Sequence, residues 1–122
     1  MSDMDKLTHG NLINAEKVHG TDVYNVKGEK LGTIEDLVID KVEGRVQYAI
    51  LSFGGFLGLG DKHYPLPWPA LKYDPRKGGY EVNLDKEQLE NAPAYEANER
   101  IDWTPDYGRR VDAFYKIPGG WQ

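Results

Sequence analysis

The sequence predicts a mainly β protein: a small six-stranded, mostly antiparallel barrel over residues 18–84, one short helix at 86–91, and an aromatic-rich C-terminal extension. Three observations carry that reading. Runs of β-branched and aromatic residues recur from Val18 to Leu84, each bounded by turn residues. The connections between them are short, as in small antiparallel barrels. A single capped helical stretch follows the last run and is stopped by Pro93.

Taken in order, residues 1–17 are polar apart from a few aliphatics such as Leu7, Leu12 and Ile13, and read as an N-terminal arm. Asp22–Val26 is rich in strand formers. Lys27 to Lys30 turns the chain, with Gly28 free to take positive φ. Leu31 to Lys41 is the second strand. Its apolar residues change parity, from Leu31 to Ile34 and then Leu37-Val38-Ile39, so a bulge or bend is expected at Glu35-Asp36. Gly44 suits the left-handed position of the next hairpin loop. Arg45–Phe53 carries apolar residues on both faces, which implies a central strand covered on both sides or one that curls within a barrel.

A glycine-rich loop, residues 54–61, leads to a short strand at His63–Leu66. Pro65 and Pro67 place that strand at an edge. Another short strand follows Trp68–Leu71, and Asp74 to Gly79 is a turn. Tyr80, Val82 and Leu84 alternate with polar residues. Asp85 caps the helix, with Gln88 at the capping-box position. The expected core includes Val23, Ile34, Val38, Tyr48, Ile50, Leu66, Leu71, Val82 and Leu89. The domain layout is an arm at 1–17, a barrel domain at 18–95 and an extension at 96–122 that packs on the barrel or on a partner subunit. The chain from residue 93 on holds Tyr95, Trp103, Tyr107, Phe114, Tyr115 and Trp121, an aromatic density foreign to disordered segments.

Length and composition bound the function. The 122 residues suit one domain, and 39% hydrophobic with 29% charged residues suits a soluble one. No apolar run approaches the roughly 20 residues of a membrane helix, and the start of the sequence lacks a secretory h-region. The absence of cysteine excludes disulfides and thiolate chemistry and fits a reducing, cytoplasmic setting. A net charge of −5 argues against a dedicated nucleic-acid binder.

The stretch from Val18 to Tyr95 resembles the PRC-barrel family. The match rests on Asp22-Val23-Tyr24 with Gly28–Ile34, on Ala49–Gly55, on Leu57–Lys62 and on Pro65–Leu71. The helix from Gln88 through Ala92-Pro93-Ala94-Tyr95 matches the ending of stand-alone bacterial members. That family includes the cytoplasmic domain of the photosynthetic reaction-centre H subunit and the C-terminal domain of the ribosome-maturation factor RimM. The resemblance implies a PRC-type β-barrel used for assembly and interaction, without catalytic residues common to its members.

The residues themselves offer little catalytic chemistry. Gly55 and Gly60 have the spacing of a phosphate loop, but Asp61 follows where lysine is needed and His63 replaces the hydroxyl. His9, His19 and His63 are too far apart in sequence to form a close ligand pair. Glu35/Asp36 and Asp102/Asp106 are carboxylate pairs expected by chance among 20 acidic residues. No serine elbow is present. The expectation is a non-enzymatic interaction and assembly module, without cofactor or metal, which self-associates as a homodimer or meets another protein. Its interaction residues are Phe56, Leu57, Leu59, Trp68, Trp103, Tyr107, Phe114, Tyr115 and Trp121. The alternative is an RNA- or ribosome-associated factor like the RimM barrel.

Overall fold

The computed structural model describes residues 10–53 and 62–116. Helix α1 (Ala15–Val18) precedes β1 (Asp22–Tyr24), β2 (Lys30–Asp40), β3 (Arg45–Phe53) and β4 (Lys62–Pro67). A 3-10 turn at Trp68–Ala70 leads to β5 (Leu71–Asp74) and β6 (Gly79–Val82), then α2 (Lys86–Glu90), β7 (Tyr95–Glu96) and α3 (Pro105–Tyr115). The seven strands of the described residues join one sheet in the order β5-β6-β1-β2-β3-β4-β7.

The six expected strands are present, but three features of the expected barrel need correction. The sheet is mixed, because β1 pairs parallel with β6. Gly79 permits that approach: a Cβ there would stand 2.4 Å from the Asp22 carbonyl oxygen. A seventh strand, β7, adds to β4 opposite Lys62 and His63, and its pairing stops short of Pro65, which has no N–H to give. The sheet is open, with β5 and β7 as its two edges rather than paired to each other. The single expected helix is one of three among the described residues. Beyond α2, α1 straddles the end of the expected N-terminal arm and takes in Val18 of the expected barrel, and α3 forms from the expected extension.

Local chemistry explains the elements that position the rest. Asn25 is buried and organises the β1–β2 turn: its side-chain oxygen accepts from the Lys27 and Glu29 amides at 3.0 and 2.9 Å, and its amide donates to the Glu29 carboxylate at 2.8 Å. Gly28 takes φ +86° in that turn. The register of β2 against β3 slips between Ile34 and Asp36, where the parity of apolar residues changes, and again between Val38 and Ile39. The Asp40 carboxylate closes the β2–β3 turn by accepting from the Val42 and Glu43 amides, which holds its pKa below the ordinary carboxylate value. Asp85 and Gln88 form the reciprocal capping box that starts α2. Thr104 caps α3 by accepting from the Tyr107 amide, and Pro105 opens its first turn.

The sheet is covered on both faces. On one face Val23, Leu31, Ile34, Ala49, Leu51, Leu66, Val82 and Leu89 form the main core, with Val18 of α1 and Ala92. Strand alternation turns Tyr48 and Ile50 to the other face. There they lie beside the buried Pro65 and Pro67, and α3 packs over β4 with Val111 fully buried. Of the expected core, Val38 and Leu71 are only partly buried. Val38, paired with Tyr48, lines an open groove beside the start of α3, and Leu71 is on the edge strand β5. The core also holds Val18, Leu31, Ala49, Leu51, Tyr64, Tyr80, Ala92 and Val111.

Candidate functional site

The described aromatic residues of the C-terminal part pack on this chain's own sheet. Trp103 stacks on Tyr48 at 5.6 Å between ring centroids with planes 16° apart. Tyr107 meets Trp103 edge-on at 5.5 Å, and Tyr95 meets it edge-on at 6.5 Å. His63 in turn stands edge-on to Tyr95 at 5.4 Å. These rings form one continuous aromatic seam from β4 across the start of α3. Arg110 lies over the Tyr107 ring at 5.2 Å. Beneath the seam, the Tyr48 hydroxyl donates to the buried Asp112 carboxylate at 3.2 Å. That bond ties the middle of β3 to α3.

At the other end of α3, Phe114 and Tyr115 pack against the main core, with their rings 5.0 Å apart. Burial pushes the Tyr115 phenol far above its ordinary pKa, and nearby Tyr64 and Tyr107 add to the shift. Burial, with Tyr107 and Asp36 adding smaller effects, raises Tyr95 to about 12. Trp68 is partly buried and packs on Tyr80 at 5.4 Å. Of the expected interaction residues, the structure therefore brings Trp103 and Tyr107 together, sets Phe114 and Tyr115 one helix-length away, and leaves Trp68 near β6. Phe56, Leu57, Leu59 and Trp121 lie outside the described residues.

An apolar surface not singled out by the sequence reading lies at the outer half of the β2–β3 hairpin. The hairpin runs past the cover of both faces. Ile39 is 56% exposed and Val42 88% exposed, while Trp103 keeps 36% exposure on the α3 side. Two grooves flank it. The smaller, about 250 Å³, lies between Val38, Ile39, Gln47 and Tyr48 of the hairpin and the Trp103–Gly108 segment. The larger, about 640 Å³, runs between α1 and the hairpin. Its apolar lining is Ala15, Leu37, Ile39 and Val46, and Glu16, His19, Glu35 and Asp36 bring ionisable groups to it. His19 and Glu35 approach to 3.6 Å across its end. The missed signal was available in the sequence: Leu37-Val38-Ile39 is three apolar residues in a row, and one sheet face cannot bury all three.

The two carboxylate pairs of the sequence have ordinary surroundings. The Asp36 carboxylate accepts from the Leu37 amide at 2.8 Å, and Asp102 and Asp106 are exposed at the start of α3. Among the described residues, no three His, Asp or Glu side chains come together as a metal site, and no helix is long and apolar enough to cross a membrane.

Comparison with known proteins agrees with this geometry. The chain is 26% identical over 80 residues to an uncharacterised protein of Deinococcus radiodurans, a match covering 66% of this chain and 28% of that protein. The chain thus spans little more than a quarter of that relative's length. The PRC-barrel domain matches residues 10–89, the segment that holds α1, β1 to β6 and nearly all of α2, and on that match the chain belongs to the PRC-barrel domain family.

Proposed function

We propose that this chain is a non-enzymatic protein-interaction module whose docking surface is the outer half of the β2–β3 hairpin. The observation that carries the reading is the exposure of Ile39 and Val42 on a hairpin that outruns its cover. Contiguous exposed apolar surface is where soluble proteins meet partners. The family supports the same reading, since PRC-barrel domains serve widely as interaction modules. Trp103, half stacked on Tyr48 and half open, extends the patch to the α3 face, and tryptophan is enriched among the residues that dominate binding energies.

Self-association belongs to this proposal as its second part. Phe56, Leu57 and Leu59 follow the end of β3 and Trp121 follows α3, so these apolar residues continue from two neighbouring elements of the described fold. Tyr64, near the start of β4, is close enough to Tyr115 at the end of α3 to add to the rise in its pKa. A chain ending at Tyr95 is a poor test, because it would strip α3 from Ile50 and Tyr48. A chain ending at Lys116 keeps the helix.

The experiment pairs two readouts. Sedimentation equilibrium compares the full chain, the chain ending at Lys116, and a Phe56→Ser/Leu57→Ser variant. Affinity capture at low and high salt compares the full chain with an Ile39→Ser/Val42→Ser variant. The proposal expects proteins held by the full chain at both salt concentrations and lost by the hairpin variant. Identical recovery by both baits refutes the docking surface, and monomers throughout the sedimentation series refute self-association. Capture dominated by RNA and lost steeply with salt would favour the ribosome-factor alternative.

A further inference from the structure

We infer that the larger groove, between α1 and the β2–β3 hairpin, takes an apolar partner segment flanked by lysine or arginine. This rests on the proposed docking surface and adds the chemistry of its occupant. The groove has an apolar floor of Leu37, Ile39 and Val46 and an opening of about 640 Å³, room for two or three aliphatic side chains. The charge around that floor is one-sided. Glu16 on α1 and Glu35 on β2 bring carboxylates to it from opposite walls, Asp36 adds a third at the bulge, and His19 is the sole basic residue among the described residues lining it. That imidazole stands 3.6 Å from Glu35. The bulge at Ile34–Asp36 creates this arrangement, because the register slip carries Glu35 out of the ladder while Leu37 and Ile39 line the groove floor.

An occupant with an acidic flank would face carboxylates on both walls, whereas a basic flank meets opposite charge on both. Electrostatic complementarity of this kind selects among partners and speeds encounter more than it adds affinity. Apolar burial on Ile39 and Val46 supplies the affinity. The occupant is therefore defined by two features together, aliphatic side chains for the floor and cations for the walls.

Nuclear magnetic resonance titration of the full chain tests this with three synthetic twelve-residue probes: an amphipathic leucine–lysine peptide, the same peptide with glutamate for lysine, and the same with serine for leucine. The expected result is saturable shifts of the amides of residues 15–19, 35–39 and 44–46 with the leucine–lysine peptide alone. Ile39→Ser/Val46→Ser should weaken that binding about tenfold. Glu16→Gln/Glu35→Gln should weaken it severalfold and flatten its salt dependence. Each variant is first checked for an unchanged amide spectrum outside the groove, and the milder Ile39→Thr replaces any that fails.

Equal binding of the glutamate peptide overturns the charge assignment while leaving the hairpin as a docking surface. Binding of the serine peptide, or shifts elsewhere on the sheet, overturns the groove. Concentration-dependent shifts of the same amides without peptide, abolished by Ile39→Ser, identify a second copy as the occupant and overturn the inference. Absence of any hairpin response to all three probes overturns it as well; the capture experiment above then decides the docking surface separately.

Discussion

Replacing Tyr48 with phenylalanine tests how α3 is fixed to the sheet. The ring would remain, stacked on Trp103, and only the hydroxyl would be lost. That hydroxyl donates to the carboxylate of Asp112, which is 5% exposed, and lies 3.5 Å from the Gly108 carbonyl. A hydrogen bond to a charged group contributes about 1.5–3 kcal/mol, because its loss leaves a buried carboxylate short of one donor. Unfolding entropy near the midpoint is about 2.1 cal/mol/K per residue, or about 0.26 kcal/mol/K for a chain of this length. The expected loss in Tm is therefore about 6–12 °C by thermal circular dichroism. Tyr24→Phe is the control, since its hydroxyl bonds Asp22 at 3.3 Å on a half-open surface and should cost under about 0.5 kcal/mol. A cycle with Asp112→Asn should return a coupling of about 1 kcal/mol or more. Hydrogen exchange should quicken in α3 before it quickens in β2 and β3. A Tyr48→Phe loss no larger than the control, with no coupling to Asp112, would refute the claim that this bond holds the helix down.

Further outcomes follow from the packing. Ile50, 1% exposed beneath α3, should cost about 2–5 kcal/mol when truncated to alanine, measured by urea denaturation. Gly32→Ala should cost about 3 kcal/mol or more, since its Cβ would stand 2.0 Å from the Ser52 carbonyl oxygen and β2 must move off β3; an unchanged midpoint would contradict that close approach. Asn25→Ala should cost about 2–4 kcal/mol and selectively loosen the amides of Lys27 and Glu29. At alkaline pH, Tyr64, Tyr80, Tyr95, Tyr107 and Tyr115 all have folded pKa values raised by burial. A raised value contributes stability that is complete below the unfolded value near 10 and is lost as pH climbs through the folded one. Stability should thus fall from about pH 10 upward, with Tyr95 titrating near 12, and phenolate absorbance should rise in late steps that coincide with unfolding.

Much of the strand pattern could be read because its signals are local. The bulge at Glu35-Asp36 followed from a change of apolar parity, the left-handed Gly28 and Gly44 from turn chemistry, and the start of α2 from the Asp85–Gln88 pair. Helix α3 escaped because its buried positions are Gly108, Val111 and Asp112. Glycine and a carboxylate on the inward face dilute the apolar periodicity that marks a helix. Thr104 and Pro105 were its readable start. The parallel β1–β6 pair and the open sheet depend on which edges meet across many residues, and a strand pattern holds no information on that. Gly79 marks the contact only once its neighbour Asp22 is known.

The same asymmetry explains where the candidate surface came to lie. The aromatic residues drew attention because large rings must be buried somewhere. In the fold, Tyr95, Trp103 and Tyr107 build a seam that helps fix α3 over Tyr48. The surface left over is aliphatic: Ile39 and Val42 stand at the end of a hairpin whose β2 strand alone runs 11 residues. β4 pairs with β3 only from Tyr48 to Phe53, so Arg45 to Gln47 and the opposing end of β2 have no further strand beside them. On the other face Tyr48 meets α3 at Gly108 and Asp112, and the segment from Trp103 to Pro105 leading into the helix borders an open groove beside Val38, Ile39 and Gln47. The strand cover thus ends at Tyr48, the α3 side leaves a groove open along the hairpin, and Ile39 and Val42 keep their exposure beyond it. An apolar strip left exposed in this way is not buried by this sheet or by α3, so a surface from outside the described fold must cover it if it is to be covered at all.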